Sequence, residues 1–158
     1  MLRSLLATED RFAPTLARLT LGIAFFPHGM QKLFGWFGGF GFNGTLHFFT
    51  DQAHIPTVFA LLAILAEGLG SIGLILGCLG RVAAFGIACN MCVAVYMVHR
   101  PNGFFMNWTG TQKGEGFEFH ILALGLALIV MIYGSGAWSV DRALTVRQSR
   151  LAMEHVRA

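Results

Sequence analysis

Charge is scarce in this sequence. Asp, Glu, Lys and Arg make up 12% of 158 residues against 55% hydrophobic residues, where a soluble domain carries about a quarter charged residues. That shortage, with a mean hydropathy of +0.63, excludes an ordinary soluble domain and points to an integral membrane protein in contact with lipid. No block of like charge occurs, so the net charge of +3 reads as a topology signal and no nucleic-acid partner is expected. The three cysteines demand no disulfide framework. An uninterrupted apolar leader is also lacking, because Glu9, Asp10 and Pro14 break the region where one would begin; the first hydrophobic segment is expected to stay. Period-two alternation is missing from the apolar runs, which excludes a barrel and leaves helices as the spanning element.

What is present is a set of four apolar runs of about 17–24 residues, each matched to a ~30 Å bilayer core. They are placed at about Pro14–Phe34, Pro56–Leu79, Arg81–His99 and Phe117–Tyr133 or Trp138. The fold expected is all-α: a polytopic membrane protein built as a four-transmembrane-helix bundle over residues 14–138, with an N-terminal segment over 1–13 and a tail over 139–158. Arg18, one turn into the first span, is expected to snorkel to the interface, and Pro27 to kink that helix before His28. A Gly/aromatic loop over Gly35–Gly44 belongs to an interfacial belt, followed by a short amphipathic helix over Thr45–Ala53. Arg3, Arg11, Arg18, Arg81, Arg142, Arg147, Arg150 and Arg157 cluster on one side, so both termini are expected in the cytoplasm of an inner-membrane protein.

The polar residues within the spans carry the functional reading. His28, Gln31 and Lys32 stand at i, i+3 and i+4, on one face at the end of the first span. Glu67 lies in the middle of the second span on a face made small by Ala60, Ala63, Gly70 and Ser71, the face that packs against other helices. His99 ends the third span, Asn90 is its polar interruption, and Glu118 begins the fourth. With the termini inside, His28, Lys32, His99, Glu115 and Glu118 share the outer side, and Lys32 with Glu118 is the expected ion pair. Such a convergence in a membrane is a ligand or redox site before it is an interhelical lock, though a lock uses the same residues. Glu67 alone also fits a protonated carboxyl hydrogen-bonded between helices.

Other signals rank lower. Cys89-Asn90-Met91-Cys92 is formally C-x-x-C but falls in mid-helix, away from the helix N-terminus that activates such thiols, and reads as small buried packing. Glu118-Phe119-His120 has the wrong spacing for a carboxylate-bridged di-metal site, so no metal is expected. Haem ligation by His28 and His99, both at helix ends, ranks lower still. Gly38-Gly39-Phe40-Gly41 has no preceding strand and is no nucleotide fingerprint.

Arg18-Leu19, Pro27-His28-Gly29-Met30-Gln31-Lys32-Leu33, the Gly/Phe loop, Glu67-Gly68 with Gly70, Leu76-Gly77-Cys78-Leu79-Gly80-Arg81, His99, Gly116-Phe117-Glu118 and Gly134-Ser135-Gly136-Ala137-Trp138-Ser139-Val140-Asp141 together resemble the DoxX family of small membrane proteins. The resemblance runs from about Leu16 to Arg142. It implies a four-helix membrane bundle, and better-known relatives include a membrane subunit of a thiosulfate:quinone oxidoreductase. On that resemblance His28, Lys32, Glu67, Arg81, His99 and Glu118 match polar positions of the family, with Arg81 kept for orientation or structure. The expected function is a quinone-linked redox membrane subunit. His28, Lys32 and Gln31 would bind the quinone, and Glu67, His99 and Glu118 would pass protons. A partner redox subunit or a soluble donor would bring electrons, and self-association into a homo-oligomer is compatible with this architecture. The competing expectation is a non-enzymatic membrane module: an anchor, a stabilising subunit or a small-solute transporter.

Overall fold

In the computed structural model residues 5–147 are described. Arg3, Arg150 and Arg157 of the expected basic flanks fall outside the described residues. Among those described, every regular element is helical. The long helices are α1 (Phe12–Phe34), α3 (Thr57–Leu76), α4 (Gly80–Ala94) and α5 (Glu118–Tyr133), with a short α2 (Gly41–His47) between the first two. They run up, down, up and down. The turn between α3 and α4 and the stretch after α5 thus meet at one end, here the tail end. The aromatic loop, α2 and the α4–α5 loop meet at the other, the loop end. In this ring each of α1, α3, α4 and α5 packs on two neighbours, α1 more extensively on α3 than on α5.

The ring closes because each long helix buries one narrow stripe. Residues 14, 18, 21, 25 and 29 are buried on α1, and 60, 64, 67, 71 and 74 on α3. Residues 80, 84, 87 and 91 are buried on α4, and 120, 123, 127 and 130 on α5. Steps of three and four keep a stripe on one side of a helix, the pattern that builds bundles. Leu21, Phe25, Leu74, Ala84, Ile87, Met91, Ala127 and Val130 form the apolar centre. The opposite faces expose Ile23, Leu62, Leu69, Phe85 and Leu122, the surface a bilayer would cover. By length and apolarity Thr57–Leu76 and Gly80–Asn102 can each cross a membrane. Helix α5 is apolar but has 16 residues, and the 23-residue α1 is interrupted by Arg18, His28, Gln31 and Lys32.

Several boundaries differ from the expectation. Helix α1 begins at Phe12 and runs as one helix through Pro27. The helix expected from Thr45 starts at Gly41 and continues through a π-helical turn, Phe48–Gln52, which shortens the aromatic loop. Helix α4 is prolonged by a second π-helical turn, Val95–His99, and a 3-10 turn, Arg100–Asn102. Cys89 and Cys92 are exposed on the outer face of α4 and are not the buried packing residues expected.

Arg18 overturns the snorkelling expectation. Its stripe position turns it inward, and it is 1% exposed. Nε donates to the Ser135 carbonyl (2.6 Å) and Nη1 to those of Leu74 and Ile75 (both 2.8 Å). Nη2 donates to Trp138 (2.7 Å) and Ala137 (3.4 Å). The guanidinium therefore occupies the C-terminal end of α3, where free carbonyls and the helix dipole favour a cation. Asp141, 1% exposed, supplies the reverse. Its carboxylate accepts from the backbone of Leu79 (2.8 Å) and Gly80 (3.0 Å), the start of α4, and from the Ser135 hydroxyl (2.6 Å). Asp141 and Ser139 are thus buried parts of the bundle end, although the sequence reading puts them in the tail; residues 140–147 are helical. Arg81 donates to the Ala7 and Ile132 carbonyls, and Arg142 pairs with Asp10, tying the N-terminal segment to the same end. Replacing Arg18 by Met is expected to cost on the order of 3–5 kcal/mol, because it strands several buried carbonyls at once. Unfolding of the detergent-purified variant, followed by circular dichroism, measures the loss.

Candidate functional site

The polar residues at the loop end are brought together by one close helix crossing. A Cβ at Gly29 would lie 2.5 Å from the Glu67 carbonyl oxygen and 2.7 Å from the Gly68 Cα. A Cβ at Gly68 would lie 2.3 Å from Leu33 Cδ1. Only glycine permits α1 and α3 to approach this far. Lys32 follows Gly29 by three residues on the same face, and the crossing lays its ammonium against the Glu67 carboxylate. Glu67 Oε1 also accepts from Asn90 Nδ2 (3.3 Å), which donates in turn to the Ala63 carbonyl (2.8 Å). Three helices are tied through this chain. The Lys32 side chain is 22% exposed and that of Glu67 9%, so the pair is partly shielded and stronger than a surface ion pair.

Beside it lies a set of rings. The His99 and His120 centroids are 4.1 Å apart at 46°. The π-helical turn Val95–His99 carries His99 to that position, and such wide turns recur at functional sites. His99 Nδ1 sits 2.9 Å from the Glu115 carbonyl oxygen. A carbonyl only accepts, so Nδ1 carries the proton of neutral His99 and Nε2 the lone pair. His120 is 5% exposed, and its Nδ1 is buried without a hydrogen-bond partner. The Phe25 ring is 6.0 Å from His28 on its own helix and 6.0 Å from Phe119 on α5, whose ring is in turn 5.8 Å from His120. His28 itself is exposed on α1 and, among the described residues, takes no hydrogen bond.

The residues singled out from the sequence separate into three groups. Lys32 and Glu67 form the centre, with His28 one turn before Lys32 on α1, while His99 packs on His120 and the Glu115 carbonyl. Gln31 is turned away: its side-chain amide donates to the Phe37 carbonyl (3.2 Å) and fastens the aromatic loop. Glu118 also leaves the centre, accepting from Trp108 Nε1 (3.0 Å) in the α4–α5 loop. The expected Lys32–Glu118 pair is therefore replaced by Lys32–Glu67, because the Gly29 crossing brings α3, and not α5, beside Lys32. His120 and Asn90 were missed as site residues. The signal for His120 was in the register: it shares the stripe of Ala123, Ala127 and Val130, and Glu118 does not. Among the described residues no three His, Cys, Asp or Glu side chains are grouped to hold a metal ion.

The Lys32–Glu67 pair makes a quantitative prediction. Lys32→Met, which leaves a buried carboxylate unpaired, is expected to destabilise by about 3–5 kcal/mol. Lys32→Met with Glu67→Leu, which removes both charges, is expected to cost clearly less than the two single losses added together. Chemical unfolding of the four proteins in detergent completes the double-mutant cycle. Gly29→Ala is expected to cost about 1–3 kcal/mol by forcing the crossing apart, read in the same assay.

The DoxX family profile matches residues 13–100. The matched stretch holds α1, α3 and α4, and with them Arg18, His28, Lys32, Glu67, Asn90 and His99; His120 and Asp141 lie beyond it. No curated protein and no solved structure matches the chain. The profile covers more than half of the sequence, and the chain belongs to the DoxX family of small integral membrane proteins.

Proposed function

We propose that this protein is a four-span inner-membrane subunit that binds a lipid-soluble quinone at the loop end of its bundle. The four spans are α1, α3, α4 with its continuation, and α5. Arg11, Arg81 and Arg142 lie together at the tail end, which by the positive-inside rule is cytoplasmic. The loop end, with Trp36, Phe37, Phe40 and Trp108 exposed, is then the outer interface, where aromatic side chains collect.

The observation that carries the reading is the polarity at the loop end: the buried, unpartnered Nδ1 of His120, against the His99 ring, and the exposed ring of His28 one turn before Lys32 on α1. Imidazole N–H groups donate to carbonyl oxygen, and Phe25 and Phe119 offer a ring surface beside them, so the residues fit a quinone headgroup. A bound quinone supplies two-electron, two-proton carrier chemistry. His28, exposed on the flank of α1, orients one oxygen. Lys32 contributes positive charge near the ring. Glu67 and His99 exchange protons at the site, and Glu118 does so from the loop. A partner subunit or soluble donor delivers the electrons. Gln31 acts on the ligand only through the aromatic loop it fastens.

A second reading is favoured by the internal completeness of the Lys32–Glu67–Asn90 chain, which accounts for its own hydrogen bonds. In that reading the chain is a helix lock of a non-enzymatic membrane module.

Mass spectrometry of an organic extract from protein purified in mild detergent distinguishes the two. A quinone at near-stoichiometric amount supports the redox reading; bulk phospholipid alone, together with no binding of added decylubiquinone, overturns it. With binding established, His28→Ala is expected to weaken decylubiquinone affinity by about tenfold, the worth of one hydrogen bond of ~1.4 kcal/mol. Cys89→Ala, on the far face of α4, leaves it unchanged. Equal effects from both variants count against the site.

A further inference from the structure

At the tail end, opposite the loop-end histidines, an open groove of about 380 Å³ runs beside the last helical turns, residues 140–147. Trp138, Ser139, Arg142, Ala143, Val146 and Arg147 line it, a spacing that gathers one side of a helix. The wall is apolar at Ala143 and Val146 and cationic at Arg142 and Arg147. The charges at this end are unevenly answered. Arg11 pairs with Glu9, and Arg142 with Asp10. The Asp141 carboxylate is occupied by the amides of Leu79 and Gly80 and by the Ser135 hydroxyl. Arg147 is exposed and, among the described residues, has neither a carboxylate nor a hydrogen bond. Trp138 offers a second free donor. Its backbone is held at φ 50° with its carbonyl bonded to Arg18 Nη2 (2.7 Å), and its side chain is turned out of the bundle, 78% exposed. The indole packs at 75° on Phe12, centroids 6.1 Å apart, and its N–H takes no partner among the described residues. Phe12 begins an exposed apolar line down α1 through Leu16 and Ile23.

We propose that this groove binds one anionic phospholipid, with the phosphate on Arg147 and the Trp138 indole N–H and the acyl chains on Phe12 and the outer face of α1. The site is separate from the loop end and independent of what binds there. A phosphodiester carries one negative charge, and its two free oxygens match the fork of a guanidinium. Arg147 is the guanidinium with that fork unused. Arg142 is engaged by Asp10, which ties the helical turns 140–147 to the segment before α1 and so fixes the groove wall. Trp138 suits the boundary between headgroup and hydrocarbon, because its ring lies among acyl chains while its N–H reaches a phosphate or ester oxygen. An acidic peptide would answer the cation and leave the line of Phe12, Leu16 and Ile23 uncovered. A phospholipid answers both. A zwitterionic lipid brings its own cation to the same place and weakens the attraction, so the groove favours a lipid of net negative charge.

The test is native mass spectrometry of the full chain in mild detergent, titrated with phosphatidylglycerol and, separately, with phosphatidylcholine of the same acyl chains. The expected result is one retained phosphatidylglycerol per chain, bound about tenfold or more tighter than phosphatidylcholine. Arg147→Gln weakens phosphatidylglycerol by about fivefold, the share of one basic residue in attraction to anionic lipid. Trp138→Phe, which keeps a ring and removes the N–H, weakens it by about three- to tenfold. Arg11→Gln takes one positive charge from the same end outside the groove and leaves the affinity within about twofold. Arg147 is exposed and makes no bond, so its loss does not disturb the fold, and melting of each variant without lipid checks this. Equal retention of the two lipids overturns the proposal. So do equal losses from Arg11→Gln and Arg147→Gln, which mark diffuse surface charge, and displacement by inorganic phosphate or an acidic peptide at the lipid's own concentration, which marks a site for water-soluble anions. Quinone is absent from the assay, so this outcome and that of the loop-end reading are independent.

Discussion

The Arg18 guanidinium is what the tail end of this bundle depends on. Helix ends inside a membrane protein expose carbonyls and amides that lipid cannot satisfy. Here one side chain answers the carbonyls of Leu74, Ile75, Ser135, Ala137 and Trp138. The Asp141 carboxylate answers the amides of Leu79 and Gly80 at the start of α4. The cation sits at a helix C-terminus and the anion at an N-terminus, so each charge is stabilised by a dipole as well as by the other. The turn between α3 and α4 is held in the same way. Leu79 adopts φ 51°, a left-handed conformation that a branched side chain tolerates only under constraint, and its amide is the one bonded to Asp141.

The two ends of the bundle are built on opposite terms. At the tail end donors and acceptors are matched and the chain is closed: Thr15 reaches the Ala137 carbonyl (2.9 Å), and Ser139 the Gly136 carbonyl (2.8 Å). At the loop end the Gly29–Gly68 crossing secures Lys32 and Glu67, yet His28 is unbonded and His120 buries an unanswered nitrogen. Stability explains the first arrangement and does not explain the second. Among the described residues the His120 nitrogen is the one buried side-chain polar atom left without a hydrogen-bond partner.

Much of this was legible in the sequence, and the reasons differ from residue to residue. The runs that became α1, α3, α4 and α5 were visible because apolar length is a direct reading of hydrophobicity. Glu67 was placed on its packing face by the small residues around it, and Ala60 and Ser71 are indeed fully buried there. Arg18 was misjudged because charge outweighed register: it falls in the stripe of Pro14, Leu21 and Phe25, which points it inward. The partner of Lys32 was not legible, since that depends on which helix approaches at Gly29, a fact of three-dimensional packing. His120 was overshadowed by Glu118 for the same reason as Arg18, with residue type weighed before register. Asp141 entered only as the last residue of a family motif, and its role was not legible, because the backbone amides it binds are 61 and 62 residues away.

The π-helical turn at Val95–His99 gives the loop end its character. A regular α-helix continued from Ala94 would place residue 99 about 100° per residue further round the stripe. The wider turn changes that phase and sets His99 against His120 and the Glu115 carbonyl. A helix rarely keeps such a turn without tertiary contacts to hold it, and here those contacts are the histidine pair and the loop. The histidines and the irregular turn therefore stabilise each other. His99 is half-buried there, and His120 beside it is 5% exposed. Among the described residues the Lys32–Glu67 pair is the charged link between α1 and α3.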